Sequence, residues 1–335
     1  MKTTLELLID KTSRTLSFSA RILGPKIRHT FMTGYILCRY ADTIADTSSL
    51  SHERKIYWIK QFPQIIETQK GEDIFALEQE FAQGEGLSEG EKLLIKNLPL
   101  CLTEFNILTS DNKELVMGIV RKVCEGMLFD LQTFNDSTPK AVSNEEELKN
   151  YCACMGGAPG IFWSRLILKE TTVGMEEEKF INYGQSIGNA LQIVNILRDQ
   201  AADIKNNRTY LPAPELAAQG LGAKDLAEAD NFERLKPVIN KWIDWGVNNL
   251  SCAASYYTAI PKKNWKTRAS VAWPVLWTYD TFTLLKNAEN LLEGAKKVKI
   301  KKRNIYFTII LTPLYLISNR LFTKALKKRL AKING

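Results

Sequence analysis

The sequence predicts an all-α protein, and three observations lead to this class. Apolar residues recur at spacings of three and four along most of the chain, no segment alternates apolar and polar residues for long, and the polar breaks are short. With 335 residues, 45% of them hydrophobic, the chain is long enough to bury a large core. We expect one domain of about ten helices over residues 1–295, followed by a tail of different composition over residues 296–335.

Five helices are predicted in the first part of the chain. They cover residues 5–23 with a break near 12–17, then 25–46, 51–68, 91–108 and 115–134. Pro25 suits the first turn of a helix, where its missing N–H costs no hydrogen bond. Pro63 should kink the third helix, because a proline inside a helix removes a backbone donor. A turn rich in Gly and Glu is expected near residues 84–90, and a polar loop over residues 135–142.

The second part of the chain is predicted to contain four helices. They cover residues 143–160 with a kink or break at 156–160, then 176–203, 235–259 and 269–292. The run Ser143-Asn-Glu-Glu has the pattern of a capping box at a helix start. Three glycines and Pro159 in the run 156–160 should interrupt that helix. Prolines at 212 and 214 and glycines at 220 and 222 predict a loop after the long helix.

The composition excludes several kinds of site. The chain has two histidines, His29 and His52, so a His-centred triad or a His-based metal site is poorly supplied, and any metal should be a hard ion held by oxygen. The six cysteines follow no regular pattern, and Cys152 and Cys154 lack the spacing of a zinc or redox pair. With no signal peptide recognised at the N-terminus, we expect reduced thiols and a cytoplasmic location.

Positive charge is concentrated in the C-terminal tail. Residues 296–335 contain twelve Lys and Arg and no acid, which leaves 33 basic and 37 acidic residues in the rest of a chain whose net charge is +8. This distribution predicts a local anionic partner and no nucleic acid. The apolar run 305–317 includes Pro313 and is too short to span a bilayer. Two interpretations stay open: an interfacial helix on anionic lipid, at the cytoplasmic face of the inner membrane, or a helix packed on the body.

The most informative stretch covers residues 188–203. Five of its residues recur at spacings of three or four and so share one helix face; they are Gly188, Gln192, Asn195, Asp199 and Asp203. Apolar residues cover the other sides of this helix, which indicates that the polar stripe faces an interior cavity. Because burying two carboxylates without partners is costly, we expect cations beside them.

A second pair of carboxylates has the same spacing. Asp42 and Asp46 are four residues apart on a predicted helix, and Arg39 precedes them by one turn. If the two helices face each other, four carboxylates can hold two or three Mg²⁺ ions, with water and phosphate oxygens completing the coordination. Arg39, together with Arg198 and Arg208 near the other pair, can neutralise a diphosphate. The pattern therefore predicts departure of a diphosphate leaving group inside an apolar cavity.

Four motifs resemble those of the squalene/phytoene synthase family. Residues 188–203, followed by Asn-Arg-Thr-Tyr-Leu-Pro at 207–212, look like its second signature, and residues 38–46 resemble its first aspartate-rich motif. Residues 151–160 are similar to its Tyr-Cys-x-x-x-Ala-Gly-x-x-Gly segment, with Gly156 in place of Ala. Residues 13–16 occupy the place of its Ser-Arg-Ser-Phe motif, with Thr15 and Leu16 as departures. The resemblance extends from about residue 13 to 292.

The resemblance implies an isoprenoid synthase fold, with helices around a central cavity, and head-to-head condensation of two prenyl diphosphates. It assigns Mg²⁺ and catalysis to the four aspartates Asp42, Asp46, Asp199 and Asp203, and a catalytic role to Tyr151. It assigns substrate binding to seven residues: Arg14, Arg39, Gln192, Asn195, Arg198, Arg208 and Tyr210. Many relatives carry a further acid where this chain has Ala45 and Ala202, so the number of metal ions is left open.

Among the members of this family, the resemblance favours those that form squalene. They condense two farnesyl diphosphates through presqualene diphosphate and reduce the product with NADPH. The segment Val298-Lys299-Ile300-Lys301 resembles their cofactor-contacting segment, so Lys299 and Lys301, with Arg198, are expected to bind NADPH, and Thr43 after Asp42 also follows their pattern. The alternatives are a dehydrosqualene or phytoene synthase, which needs no reductant, and a presqualene diphosphate synthase. A non-catalytic relative is disfavoured because all four aspartates are present, and the substrate chain length stays open.

Overall fold

The computed structural model describes residues 4–12, 23–82, 87–135, 137–294 and 298–334. Within these ranges almost all regular structure is helical, and the strands are two short segments. The predicted all-α class is therefore confirmed. The expected substrate residue Arg14 lies outside the described residues, as do the rest of the motif at 13–16 and the first two residues of the predicted tail, 296 and 297.

The chain divides into two compact units, the first of which comprises Met1–Asn135 and Arg165–Glu170. Its helices are α1 (Thr4–Thr12), α2 (Pro25–Asp46), α3 (His52–Thr68), α4 (Gly71–Ala82), α5 (Glu89–Lys96), α6 (Leu98–Asn106) and α7 (Ser110–Thr133). Helices α2 and α3 both pack on α7, and their buried faces meet around Tyr40 and Phe62, whose rings stack 5.2 Å apart. Asp42 and Asp46 lie in the last two turns of α2.

The second unit comprises Asp136–Ser164 and Thr171–Gly335. Its elements begin with β1 (Lys140–Val142), α8 (Glu145–Cys152), a π turn (Ala153–Gly157), α9 (Ala158–Glu170), α10 (Glu177–Arg198), α11 (Gln200–Lys205) and β2 (Arg208–Pro212). They continue with α12 (Ala213–Ala218), α13 (Phe232–Asn249), α14 (Ala253–Ala259), α15 (Trp265–Lys286), α16 (Lys302–Ile317) and α17 (Asn319–Asn334). Short 3₁₀ turns lie at Ala223–Ala227, Ala229–Asn231 and Leu250–Cys252. The last six residues of α9 count with the first unit.

Helix α10 is the centre of the second unit. It packs against the π turn, α13 and α15, and the side chains of Ile193 and Leu197 are fully buried in this core. Strands β1 and β2 form a parallel pair, which brings Lys140 opposite Arg208 and Ala141 opposite Thr209. This pairing holds the segment that follows α11 beside the start of α8.

Several predicted boundaries in the first unit are wrong. The predicted helix 91–108 is two helices, because the backbone of Asn97 leaves the helical region at φ −106° and ψ 16° and Pro99 opens the next helix. Helix α4 was not predicted. In the second unit the start of α8 also differs, because Asn144 rather than Ser143 caps it by accepting a hydrogen bond from the Glu147 N–H at 3.0 Å.

The larger differences between the predicted and the observed helices lie in the second unit. The predicted helix 176–203 ends at Arg198 and resumes at Gln200, and the predicted helix 235–259 is divided by the 3₁₀ turn Leu250–Cys252. The kink or break predicted at 156–160 takes the form of one wide π turn at Ala153–Gly157, after which the chain continues into α9. The two predicted loops at 135–142 and after 203 each contain a strand, too short to show a period of two. Because the longer predicted helices are divided, the described residues contain more than the ten helices expected.

The tail packs on the body of the second unit through α15 and α14. The Tyr257 hydroxyl donates to the Tyr315 carbonyl at 3.0 Å, and the Trp273 indole N–H donates to the Thr312 hydroxyl at 2.8 Å. Arg329 forms an ion pair with Asp280 at 2.9 Å. No helix within the described ranges has the length and apolar character that crossing a bilayer requires.

Candidate active site

The site residues of the second unit meet where α10 ends. Asp199 has left helical geometry, with φ −97° and ψ 11°, yet its N–H still donates to the Asn195 carbonyl at 3.0 Å. The Asp199 carbonyl in turn accepts from the Asp203 N–H at 3.0 Å. The two aspartates therefore stay one turn apart, as the spacing predicts, although the helix itself is interrupted between them.

Each of these carboxylates is held by an arginine. Arg198 donates from Nε and from a terminal nitrogen to the two oxygens of Asp199, at 3.2 and 2.7 Å. Arg208 Nε donates to Asp203 Oδ1 at 2.9 Å. The Asp203 side chain is 9% exposed and that of Asp199 is 26% exposed, so the carboxylate of Asp203 is largely withdrawn from solvent while that of Asp199 is partly exposed. Charge-assisted bonds of this kind are roughly twice as strong as neutral ones, which fixes both carboxylates in place.

Two predicted tyrosines, Tyr151 and Tyr210, form a stacked pair beside this cluster. Their ring centroids are 4.5 Å apart, and the Tyr151 hydroxyl donates to the Tyr210 hydroxyl at 3.2 Å. Both rings are buried. The Arg208 guanidinium lies 5.7 Å from the Tyr210 ring centroid, so a single cation contacts both the carboxylate of Asp203 and the aromatic pair.

A buried polar network that the sequence interpretation missed supports this arrangement. The Gln200 amide is fully buried, donates to the Ile196 carbonyl at 3.0 Å and accepts from the Thr209 hydroxyl at 3.2 Å. The Thr209 hydroxyl also accepts from the Leu211 N–H at 3.3 Å. The network ties β2, which carries Arg208 and Tyr210, to the end of α10. The sequence signal that could have revealed this network is the place of Gln200 between the two aspartates, shortly before the Asn-Arg-Thr-Tyr run.

Glycines set the distance between α10 and the elements that carry Tyr151. A Cβ on Gly188 would collide with the carbonyl oxygen of Gly156, and a Cβ on Gly160 would collide with that of Gly184. Gly156 and Gly160 are four residues apart, as are Gly184 and Gly188, so the two backbones are in contact along a full helical turn. Gly188 therefore serves helix packing, and it lies on the same side of α10 as Gln192, whose Cβ also comes close to Gly156.

The remaining stripe residues differ in exposure. Gln192 is half-buried and Asn195 is exposed. Only part of the predicted stripe is thus withdrawn from solvent, because the helix turns Asn195 outward while Asp203 lies beyond the break at Asp199. Asn195 still supports the site through its carbonyl, which receives the Asp199 N–H.

The first unit carries the other carboxylate pair. Arg39 forms an ion pair with Asp42 on the same face of α2, and Asp46 is exposed one turn later. Burial lowers the pKa of Lys55 on α3, while the nearby charge of Asp46 opposes that shift. Lys55 therefore lies close enough to Asp46 to be influenced by its charge, a neighbour that sequence spacing did not indicate. The predicted cage of four carboxylates remains a prediction.

A small cavity adjoins the Asp199 turn in the second unit. It has a volume of about 120 Å³ and is lined by Arg198, Asp199, Ala202, Lys205 and Val298, among others. Val298 begins the segment in which Lys299 and Lys301 are exposed. Since one water occupies about 30 Å³ of liquid volume, the cavity has room for a phosphate-sized group and is too small for a whole dinucleotide.

The donor set at the Asp199 turn is compatible with Mg²⁺. Two carboxylates one turn apart supply hard oxygen ligands, and such an ion usually keeps several waters and takes other ligands from substrate phosphates. In the part of the chain that the structure describes, no three His, Cys, Asp or Glu side chains form a group for a metal ion. A metal here would thus depend on the substrate for part of its coordination, as two carboxylates alone do not fill an octahedral shell.

Comparison with known proteins shows the same fold. The chain resembles the ligand complex of TcSQS with BPH1237 at a TM-score of 0.80 and 16% identity, over 98% of this chain and 90% of that one. It also resembles a ligand-bound dehydrosqualene synthase at a TM-score of 0.63 and 16% identity, over 93% and 95% of the two chains. At these identities the likeness shows the fold alone, and it confirms the predicted isoprenoid synthase fold.

Sequence comparison gives the family. The squalene synthase of Bos taurus is 23% identical over 295 residues, which cover 87% of this chain and 65% of the bovine protein. The chain thus matches less than two thirds of the length of that relative. The family model for squalene/phytoene synthase matches residues 9–304, nearly the whole of the chain. The protein belongs to the squalene/phytoene synthase family.

Proposed function

We propose that the protein is a prenyltransferase that condenses two farnesyl diphosphates through presqualene diphosphate and reduces the product to squalene with NADPH. The observation that carries this proposal is the Asp199–Asp203 turn, in which two carboxylates and two arginines lie beside a buried tyrosine pair. Relatives named squalene synthase, such as the bovine protein, are consistent with it.

The arginines are proposed to receive a diphosphate. Arg198 and Arg208 each hold a carboxylate on one side, and their side chains are 30% and 29% exposed, so an anion in solvent can approach both guanidinium groups. When bound by Asp199 and Asp203, Mg²⁺ would supply additional positive charge to the departing diphosphate. In the first unit, Arg39, Asp42 and Asp46 are proposed to serve a diphosphate in the same way.

The aromatic pair is proposed to serve the organic part of the reaction. Tyr151 and Tyr210 present buried ring faces, and such faces stabilise a neighbouring cation. Their hydroxyls share a hydrogen bond, so if one tyrosine gives up its proton, the phenolate can accept a hydrogen bond from the other until the proton returns. Gln192 and Asn195 are proposed to contact the substrate from the next turns of α10.

NADPH is proposed to bind next to the Asp199 turn. Val298 and Arg198 line the same cavity, which has room for one phosphate group of the cofactor. Lys299 and Lys301 follow directly and are exposed, so their ammonium groups can contact the remaining phosphates. The cofactor, when bound, would supply the hydride for the second half-reaction.

Dehydrosqualene is one alternative product, because a dehydrosqualene synthase shares the fold. Such an enzyme completes the reaction by losing a proton and needs no reductant. A chain that stops at presqualene diphosphate is the other alternative, and it would show a diphosphate product that persists in the presence of NADPH.

Diphosphate release from farnesyl diphosphate tests the proposed role of the turn. Asp203→Asn removes the charge that Arg208 and a metal ion would share, and we expect turnover to fall about 100- to 1,000-fold, the usual effect of losing one electrostatic contact in a transition state. Asp230→Asn, at an exposed aspartate in a 3₁₀ turn, is the matched control and should retain full activity. Undiminished turnover in Asp203→Asn would exclude the proposed site.

A further inference from the structure

Helix α16 presents an apolar face that the body of the protein leaves uncovered. We call it the outer stripe, and it consists of Tyr306, Phe307, Ile310, Leu314 and Ile317. These side chains are between 48% and 72% exposed. Their spacings of three and four place them on one side of the helix, and Leu321, 42% exposed, extends the stripe at the start of α17. Contiguous exposed apolar surface of this kind marks an interaction site.

The orientation of the outer stripe is fixed by the opposite face of the same helix. Thr308, Thr312 and Tyr315 are buried there, and the hydrogen bonds from Trp273 to Thr312 and from Tyr257 to the Tyr315 carbonyl hold this face on the body. The stripe is therefore the outer side of a docked helix rather than the result of a loosely placed one.

The charges beside the stripe have a single sign. Residues 298–334 contain ten Lys and Arg and no Asp or Glu. Lys302 and Arg303 lie one turn before Tyr306, and Arg320 and Lys324 follow the stripe at its other end; all four are exposed. Long basic side chains can reach past an apolar surface and place their charges at the level of anionic headgroups.

We propose that the outer stripe binds the surface of an anionic lipid bilayer, with α16 parallel to the membrane plane. Sixteen residues give a helix about 24 Å long, and its apolar face is bordered by cations at both ends, which suits a helix at the interface. The proposal does not depend on the proposed reaction.

Charge decides between a membrane and a second copy of the chain. In a twofold dimer built on this stripe, the basic end of one helix would face a basic end of the other, whichever way the helices run. Like charges placed together oppose such a contact, whereas anionic lipids complement both ends at once. The chemistry of the border therefore favours lipid as the occupant.

Vesicle flotation with the full chain tests the proposal. We expect binding to vesicles of phosphatidylcholine with 30% phosphatidylglycerol, and binding at least tenfold weaker to pure phosphatidylcholine or in 1 M NaCl, because salt screens the basic border. The double variant Phe307→Ser/Ile310→Ser should lose at least tenfold in affinity for the anionic vesicles. Both side chains are exposed, so the variant should keep the thermal midpoint of the unchanged protein.

Matched controls separate the stripe from apolar exposure and charge in general. Phe75→Ser/Ile107→Ser removes two equally exposed apolar side chains elsewhere, and Lys262→Gln/Lys263→Gln removes two exposed charges from another loop; neither should change binding. Lys302→Gln/Arg303→Gln should weaken it. The proposal is overturned if the unchanged protein ignores anionic vesicles, if the stripe variant binds as well as its control, or if sedimentation shows a dimer that the stripe variant abolishes.

Discussion

Substituting Gly188 by alanine tests how closely α10 approaches the π turn. The new Cβ would collide with the Gly156 carbonyl, and the neighbouring contact is backbone as well, so no flexible side chain can move aside. Overpacking costs about 1–3 kcal/mol, and contact with fixed backbone places this case near 3. Alanine regains about 1 kcal/mol of helix propensity, which leaves a net destabilisation of about 2 kcal/mol.

Gly118→Ala supplies the matched control. Gly118 also lies inside a helix, α7, but a Cβ there meets nothing within 4 Å, so only the propensity gain of about 1 kcal/mol applies. With an unfolding entropy of about 2.1 cal/mol/K per residue, Gly188→Ala should lower the melting temperature by about 3 °C and Gly118→Ala should raise it by about 1 °C.

Differential scanning calorimetry measures both changes. The two variants should shift in opposite directions, and Gly188→Ala should also lose activity because the end of α10 positions Asp199. A Gly188→Ala protein that melts at or above the temperature of the unchanged protein would refute the close backbone contact.

Thr209→Val removes the hydroxyl that a buried amide contacts, and urea denaturation should show a loss of about 1–3 kcal/mol, because that amide oxygen is left unpaired. Burial raises the pKa of the Cys101 and Cys124 thiols from 9.0 to about 12. Above pH 9 the unfolded chain therefore releases protons that the folded chain keeps. Urea denaturation at a series of pH values should then show a contribution of these thiols to the free energy of unfolding that is constant below pH 9 and falls between about pH 9 and 12. Lys301→Ala should raise the KM for NADPH about tenfold in steady-state assays, whereas Lys263→Ala should not.

Each of these predictions has a contrary result. A Thr209→Val protein as stable as the unchanged one would mean that water replaces the lost hydroxyl. Stability that rises between pH 9 and 12 would contradict the burial of the thiols. If Lys301→Ala leaves the KM for NADPH unchanged, the tail segment does not contact the cofactor.

Helical periodicity was sufficient to predict the elements that bury one regular face. The boundaries of α2 follow from Pro25 at its first turn and from apolar residues at helical spacing up to Asp46. The same pattern did not reveal the break at Asp199, because the Asn195–Asp199–Asp203 spacing continues through it and the hydrogen bonds on both sides are kept. Tertiary contacts of the turn, chiefly those of Arg198 and Arg208, decide the local backbone there.

Contacts between distant segments account for the rest of what the sequence left undetermined. The Gln200–Thr209 hydrogen bond depends on the path of the chain through β2, and local patterns carry no information about such a path. The sequence predicted an interruption of the helix at 156–160, but it did not reveal that the glycines of this run allow close packing against α10 at Gly184 and Gly188. The predicted arginines and tyrosines near Asp203 do lie together, since their motifs are contiguous or adjacent in the fold.

Product identification from farnesyl diphosphate and Mg²⁺, with and without NADPH, tests the proposed function most directly. The proposal predicts that squalene forms only when NADPH is present. The same hydrocarbon product in equal amounts without any reductant would contradict it.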